Sequence, residues 1–269
     1  MTIYLDAPDW ENQPTAAIGN FSCKNSKSGA HILRKSVDEI RKIGMARIIG
    51  PMDGDTWHSY RLITETDGSL PFLMEPDSKP HEAHAFRKAG FREISGYFSA
   101  RVPLANTAQN TPPISNNLTI ETWDGENPEA LFGQVYDLST KAFSGNAFYK
   151  PIDLDTFLAM YMPIVPMLKK ELIFFARRPD RSLAGFLFGI PNYAEGPAPC
   201  SAILKTYASL AKGAGRQLAH AFHCSARQLG YETAIHALIH NDNLSALRSA
   251  AEGAEIFRRY SLMGLVSDG

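Results

Sequence analysis

Ile203-Leu-Lys-Thr-Tyr-Ala-Ser-Leu-Ala-Lys-Gly-Ala-Gly-Arg-Gln-Leu218 reads as a short apolar strand, a glycine loop and the head of a long amphipathic helix that stops at Gly230. The first N–H groups of a helix lack partners within it, and their summed partial positive charge favours a phosphate. Gly213 and Gly215, without Cβ atoms, permit a sharp turn and a close approach by a diphosphate. The loop predicts a phosphate-bearing ligand, with a plain strand-to-helix turn as the alternative. A dinucleotide loop wants three glycines and a later acidic residue, and a Walker loop wants Gly-Lys-Ser/Thr. Neither pattern is present, so a nucleotide-binding enzyme ranks last.

Around that stretch the pattern alternates. Upstream, Leu118–Trp123 reads as a strand and Pro128–Phe143 as a helix with Leu131, Val135 and Leu138 on one face. Leu172–Arg177 and Ala184–Ile190 flank the turn-rich Arg178-Pro179-Asp180-Arg181-Ser182, a hairpin signal. Downstream come a strand at Thr233–His240, a helix at Leu244–Ala251 introduced by Asn241-Asp242-Asn243, and strand character over Ile256–Leu265. Strands followed by alternating strands and helices imply an α/β fold with a mixed sheet flanked by helices.

Leu104–Asn117 is poor in large apolar residues and rich in turn formers, which predicts a linker between residues 1–103 and 118–269. Before it, His31–Ile43 reads as a helix with Ile32, Leu33, Val37, Ile40 and Ile43 inward. Met45–Ile49 is a strand, Pro80–Ala89 a second helix, and Arg92–Val102 a closing strand.

The 269 residues allow two modest domains. With 27 basic against 28 acidic residues the formal charge is −1, which gives no electrostatic reason to expect nucleic acid or an anionic membrane as partner. Cys23, Cys200 and Cys224 are odd in number, far apart and without metal-ligand spacing, so they read as reduced cytosolic thiols and no metal is expected. Met1–Asn20 carries Asp6, Asp9 and Glu11 where a secretory leader needs basic and then apolar residues. Phe157–Leu168, the most apolar stretch, is short and broken by Pro163 and Pro166. A cytoplasmic protein is expected.

The order of elements, with Gly213-Ala214-Gly215 after the fourth strand of its half, resembles the GNAT acyltransferase superfamily, whose members move an acyl group from coenzyme A to an amine. The family signature is Arg/Gln-x-x-Gly-x-Gly/Ala, and the chain matches its glycines while Leu210 stands at the Arg/Gln position. The N-terminal half is similar to a partial copy, with Phe86-Arg87-Lys88-Ala89-Gly90-Phe91 like the closing element of these enzymes. Its loop Lys24-Asn25-Ser26-Lys27-Ser28-Gly29 lacks the first glycine. The resemblance implies two GNAT-like lobes, each a mixed, mostly antiparallel sheet flanked by helices, with the N-terminal lobe degenerate.

It also implies a ligand, acetyl-CoA or another acyl-CoA, and an acceptor, a primary amine of a small molecule or peptide. Lys212, Gly213, Ala214, Gly215 and Arg216 would hold the diphosphate, and Tyr207, Ala208 and Ser209 the pantetheine and thioester. Asn243 fits the family's asparagine beside the pantetheine, or is only a helix cap. Where the family places a tyrosine that protonates the departing thiolate, this chain has Ala250. Tyr207, His240 and Tyr260 are the remaining candidates for catalysis, each with a packing role as alternative. Alternation puts His236 and His240 on one side of their strand. Trp57, His58, Tyr60 and Arg61 are expected to cover an acceptor site or to pack between domains, and Tyr161–Pro166 to wall an apolar pocket or the core. The missing Arg/Gln and Tyr both favour the alternative, a catalytically inactive acyl-CoA-binding sensor.

Overall fold

A computed structural model describes residues 1–108 and 117–266. Most of the expected linker, residues 109–116, lies outside them, while Leu104–Asn106 form a 3-10 turn. The elements in chain order are β1 (Thr2–Tyr4), β2 (Thr15–Gly19), α1 (Ser26–Lys42), β3 (Arg47–Gly50), β4 (Leu62–Thr66), α2 (Pro80–Lys88) and β5 (Arg92–Pro103). Then follow β6 (Thr119–Thr122), α3 (Pro128–Phe143), α4 (Leu154–Tyr161), β7 (Ile173–Arg177), β8 (Leu183–Pro191), β9 (Ser201–Ser209), α5 (Ala214–Gln228), β10 (Thr233–His240), α6 (Leu244–Ala251) and β11 (Glu255–Val266).

The chain divides into two compact units. One holds Met1–Phe98 together with Asn146–Lys150 and Phe257–Gly269; the other holds Ser99–Gly145 and Pro151–Ile256. The division thus falls within β5, upstream of the expected linker, and nearly all of β11 belongs with the N-terminal residues.

In the first unit the sheet runs β1-β2-β3-β11-β5, with β4 also on β11. β2 and β3 are parallel, whereas β3 and β4 each pair β11 antiparallel. β11 fits here because its inward residues meet an apolar cluster: Met263 packs with Ile18, Ile48, Leu62, Phe86 and Phe91. Helix α1 buries Leu33, Val37 and Ile40 in the same cluster, each worth roughly 1.5–3 kcal/mol of burial. Ile32 and Ile43, expected inward, are exposed; Ile43 is the C-cap, where the helical periodicity ends. Helix α1 starts five residues earlier than its apolar pattern, because the Asn25 side chain accepts from the N–H groups of Lys27 and Ser28.

In the second unit the order is β10-β9-β8-β7-β6, with β6 to β9 antiparallel in sequence and β10 parallel to β9. Ser99 of β5 accepts the Leu238 N–H through its hydroxyl at 3.0 Å. Leu218, Phe222 and Ala226 of α5 pack on Phe174, Ala184, Leu187, Ala202 and Ala234, which fixes the helix across the sheet. At Gly189 an added Cβ would stand 2.4 Å from the Phe222 ring and 2.8 Å from the Leu172 carbonyl oxygen, so only glycine lets α5 lie this close. Among the described residues no helix is long and apolar enough to cross a membrane.

Candidate functional site

The site grows from a strand separation. β9 and β10 pair from Ser201↔Thr233 to Leu204↔His236, and the ladder stops there. On its other edge β9 continues with β8 to Ser209↔Gly185, but the register skips Lys205 between Leu204↔Gly189 and Thr206↔Phe188. That bulge bends β9 where its pairing with β10 ends. From Thr206 to Ser209 β9 therefore has no register partner on β10, and alternate backbone groups of that stretch point away from β8.

At the end of β9 the chain turns into α5. Gly213 is its N-cap at φ +87°, a left-handed conformation suited to glycine, and no side chain caps the helix. Several of the amides expected to be open are used locally: Ala214 donates to the Ala211 carbonyl, and Arg216 and Gln217 donate to the Gly213 carbonyl. Among the described residues no acceptor takes the N–H of Gly213 or Gly215. The equivalent start of α1 differs, since Asn25 occupies the amides of Lys27 and Ser28.

Sequence reasoning missed one cation here. Arg248 of α6 lays its guanidinium on Gly215, where an added Cβ would stand 2.6 Å from Nη1 and 3.2 Å from the Tyr207 ring. Its Nη1 donates to the Tyr207 hydroxyl at 3.4 Å, and no carboxylate pairs with it among the described residues. A half-buried guanidinium and two open amides thus share one corner without a counter-charge, an arrangement that favours an anion. In the sequence a single Arg on a short helix reads as a solvated face, and only the fold brings it to the glycines. Lys212 and Arg216 are exposed beside the same turn.

The other expected residues divide. Tyr207 and Ser209 are half-buried and Ala208 is buried on the unpaired part of β9. Asn243 is exposed at the N-cap of α6, yet its side chain makes no capping hydrogen bond. His240 accepts the Asp242 N–H at Nδ1, 3.1 Å away, so its neutral ring carries the hydrogen on Nε2 and presents a donor rather than a base. Tyr260 is 1% exposed in the first unit and gives its hydroxyl to Glu75, beside the Arg258–Glu75 ion pair. Its hydroxyl is thus used within its own unit.

His236 also departs from expectation. Leu238 sits at φ +55°, which breaks the two-residue alternation, so His236 and His240 do not share an environment. His236 is buried, with Nε2 2.9 Å from His223 Nε2 and Nδ1 2.8 Å from the Ser249 hydroxyl. Burial lowers both imidazoles, His236 to about 4 and His223 to about 3, the latter also through the charges of His236 and His220. Both are neutral at physiological pH.

In the first unit, Trp57 Nε1 donates to the Lys150 carbonyl at 2.8 Å, and Asp55 accepts from His58 Nδ1 at 2.8 Å. Arg61 lies between the rings of Tyr60 and Tyr97, 3.9 and 4.2 Å from their centroids. The set is held by residues of its own unit. Tyr161 packs on Phe157 and Phe132, and Phe132 stacks on Phe188, so the Tyr161 end of the apolar stretch is core packing under α3.

No protein-family model and no curated protein matches the chain. Solved structures do. A tandem GNAT protein from the clavulanic acid biosynthesis pathway aligns over 96% of this chain and 77% of its own, at TM-score 0.55 and 13% identity. A GCN5-related N-acetyltransferase from Sphaerobacter thermophilus aligns over 95% and 74%, at TM-score 0.58 and 11% identity. One from Anabaena variabilis aligns over 99% and 59%, at TM-score 0.54 and 12% identity. The chain has the GNAT fold, an α/β architecture of mixed sheets flanked by helices.

Proposed function

We propose that the second unit binds acetyl-CoA or another acyl-CoA and passes the acyl group to a primary amine of a small molecule or peptide. The observation that carries this reading is Arg248 against Gly215, an uncompensated cation at the uncapped start of α5. The residues fit a diphosphate there: two open amides, Arg248, and the neighbouring side chains of Lys212 and Arg216. A Cβ on Gly215 would intrude on that corner.

Acyl-CoA would supply an activated thioester. The unpaired amides over Tyr207–Ser209 are suited to orient the pantetheine and to stabilise charge on the thioester oxygen. The Tyr207 hydroxyl keeps its own hydrogen while accepting from Arg248, and so can protonate the departing thiolate. Asn243, whose side chain makes no capping hydrogen bond, would serve the pantetheine amides in this reading. The reading goes with a cytoplasmic location and without a nucleic-acid or membrane partner.

A second reading, an acyl-CoA sensor without turnover, is favoured by one observation. His240, the expected base, spends its Nδ1 lone pair on Asp242. Release of free thiol from acetyl-CoA, followed across a broad panel of primary amines, separates the two. Amine-dependent release supports the transferase; acyl-CoA binding with no release above background supports the sensor.

A further inference from the structure

Three chemically different ligands meet in the first unit. Cys23 lies in the loop between β2 and α1, while His81 and Glu82 occupy the first turn of α2. Their donor atoms all fall within 4.8 Å of one another. Fifty-eight residues separate Cys23 from His81, which is why no ligand spacing is visible in the sequence.

Each side chain is prepared for a cation by what surrounds it. Glu82 is 4% exposed, and no cationic side chain forms an ion pair with it among the described residues. Its Oε2 accepts only the Lys79 N–H, at 3.0 Å, which leaves Oε1 for another partner. A carboxylate this deeply buried is seldom left without a counter-charge. His81 Nε2 lies 2.7 Å from the Cys23 carbonyl, which can only accept, so the neutral ring carries its lone pair on Nδ1. A carbonyl on one ring nitrogen, leaving the other for the metal, is a common way of holding a metal-bound imidazole. The Cys23 sulfur is fixed by close packing, since a Cβ on Gly29 would stand 2.7 Å from it.

We infer that Cys23, His81 and Glu82 form a binding site for one thiophilic divalent cation of the zinc class. Sulfur, imidazole nitrogen and carboxylate oxygen together suit Zn²⁺ in a tetrahedral shell, with water as fourth ligand. Donor atoms that all lie within 4.8 Å of one another can face one such ion. On binding, the sulfur–metal bond forms as the thiol proton leaves to solvent, and affinity rises with pH. The ion would tie the loop ahead of α1 to the first turn of α2.

The test is titration of the reduced, metal-free full-length chain with Co²⁺. One equivalent is expected to produce a thiolate-to-cobalt charge-transfer band in the near ultraviolet with tetrahedral visible bands, all displaced by Zn²⁺. Cys23→Ser is expected to abolish the charge-transfer band, whereas the Cys200→Ser, Cys224→Ser double variant keeps it. Glu82→Gln is expected to weaken cobalt at least tenfold with the band retained. His81→Gln gives a second readout of lost affinity should Cys23→Ser fold poorly. Absence of the band in the unmodified chain, or its survival in Cys23→Ser, overturns the site.

Discussion

The Arg248 guanidinium rests on Gly215 and donates to the Tyr207 hydroxyl at 3.4 Å, so one side chain of α6 touches both the start of α5 and the unpaired end of β9. In the sequence, Leu210 stands where the GNAT signature that the loop resembles has Arg or Gln. Arg248 supplies a cation to the same helix start from a different element. The charge is present even though the motif is incomplete.

Removing that cation tests its role. Arg248→Gln is expected to weaken coenzyme A binding by about tenfold to a hundredfold, the loss of a charge-assisted contact worth roughly 1.5–3 kcal/mol. Pantetheine, which lacks the diphosphate, is expected to bind the variant and the unmodified chain equally. Calorimetry with both ligands checks the split; equal losses for the two would place Arg248 elsewhere in the site.

Two glycines of the second unit respond differently to alanine. At Gly215 the new Cβ meets first the movable end of Arg248, so the fold is expected to hold while coenzyme A affinity falls. At Gly189 it meets the Phe222 ring and a backbone oxygen, and a loss of about 1–3 kcal/mol or more is expected from overpacking. Urea denaturation of both variants separates the effects.

The buried imidazole pair predicts acid sensitivity. His223 and His236 titrate near 3 and 4 in the folded chain against an ordinary value of 6.5, so the unfolded chain binds protons first. Their contribution to stability is whole above pH 6.5 and declines as pH falls toward 4, by about 1 kcal/mol per pH unit for each ring. His223→Phe is expected to flatten that acid limb in urea midpoints taken between pH 7 and pH 5. An unchanged limb would assign it to carboxylates.

Arg258 and Glu75 form an ion pair with side chains 3% and 0% exposed, and Glu75 also takes the Tyr260 hydroxyl. Glu75→Ala leaves the guanidinium buried without its partner, and a loss of about 3–5 kcal/mol is expected. Thermal unfolding measures it, and a change below about 1 kcal/mol would show the pair to be dispensable.

Much of the architecture was legible because it is local. Pro128–Phe143, Thr233–His240 and Leu244–Ala251 follow from apolar periodicity and turn residues, and the structure reproduces those bounds. β2 and β4 escaped because Thr-Ala-Ala-Ile-Gly and Leu-Ile-Thr-Glu-Thr are short and carry little periodic signal. The place of β11 depends on pairing with β3 and β4, more than 180 residues away in the chain, and nothing within it names those partners. At the site, the glycine turn was visible in the composition. Arg248, the broken alternation at Leu238 and the local use of the Ala214 and Arg216 amides depend on tertiary geometry.

The central claim is that the start of α5 grips a diphosphate, and amide NMR reads those groups directly. In a titration of the ¹⁵N-labelled chain with coenzyme A, the Gly213 and Gly215 resonances are expected to shift downfield and to rank among the largest changes, with pantetheine leaving both in place. Saturating coenzyme A that moves neither glycine amide, or moves them no more than pantetheine does, would contradict the account.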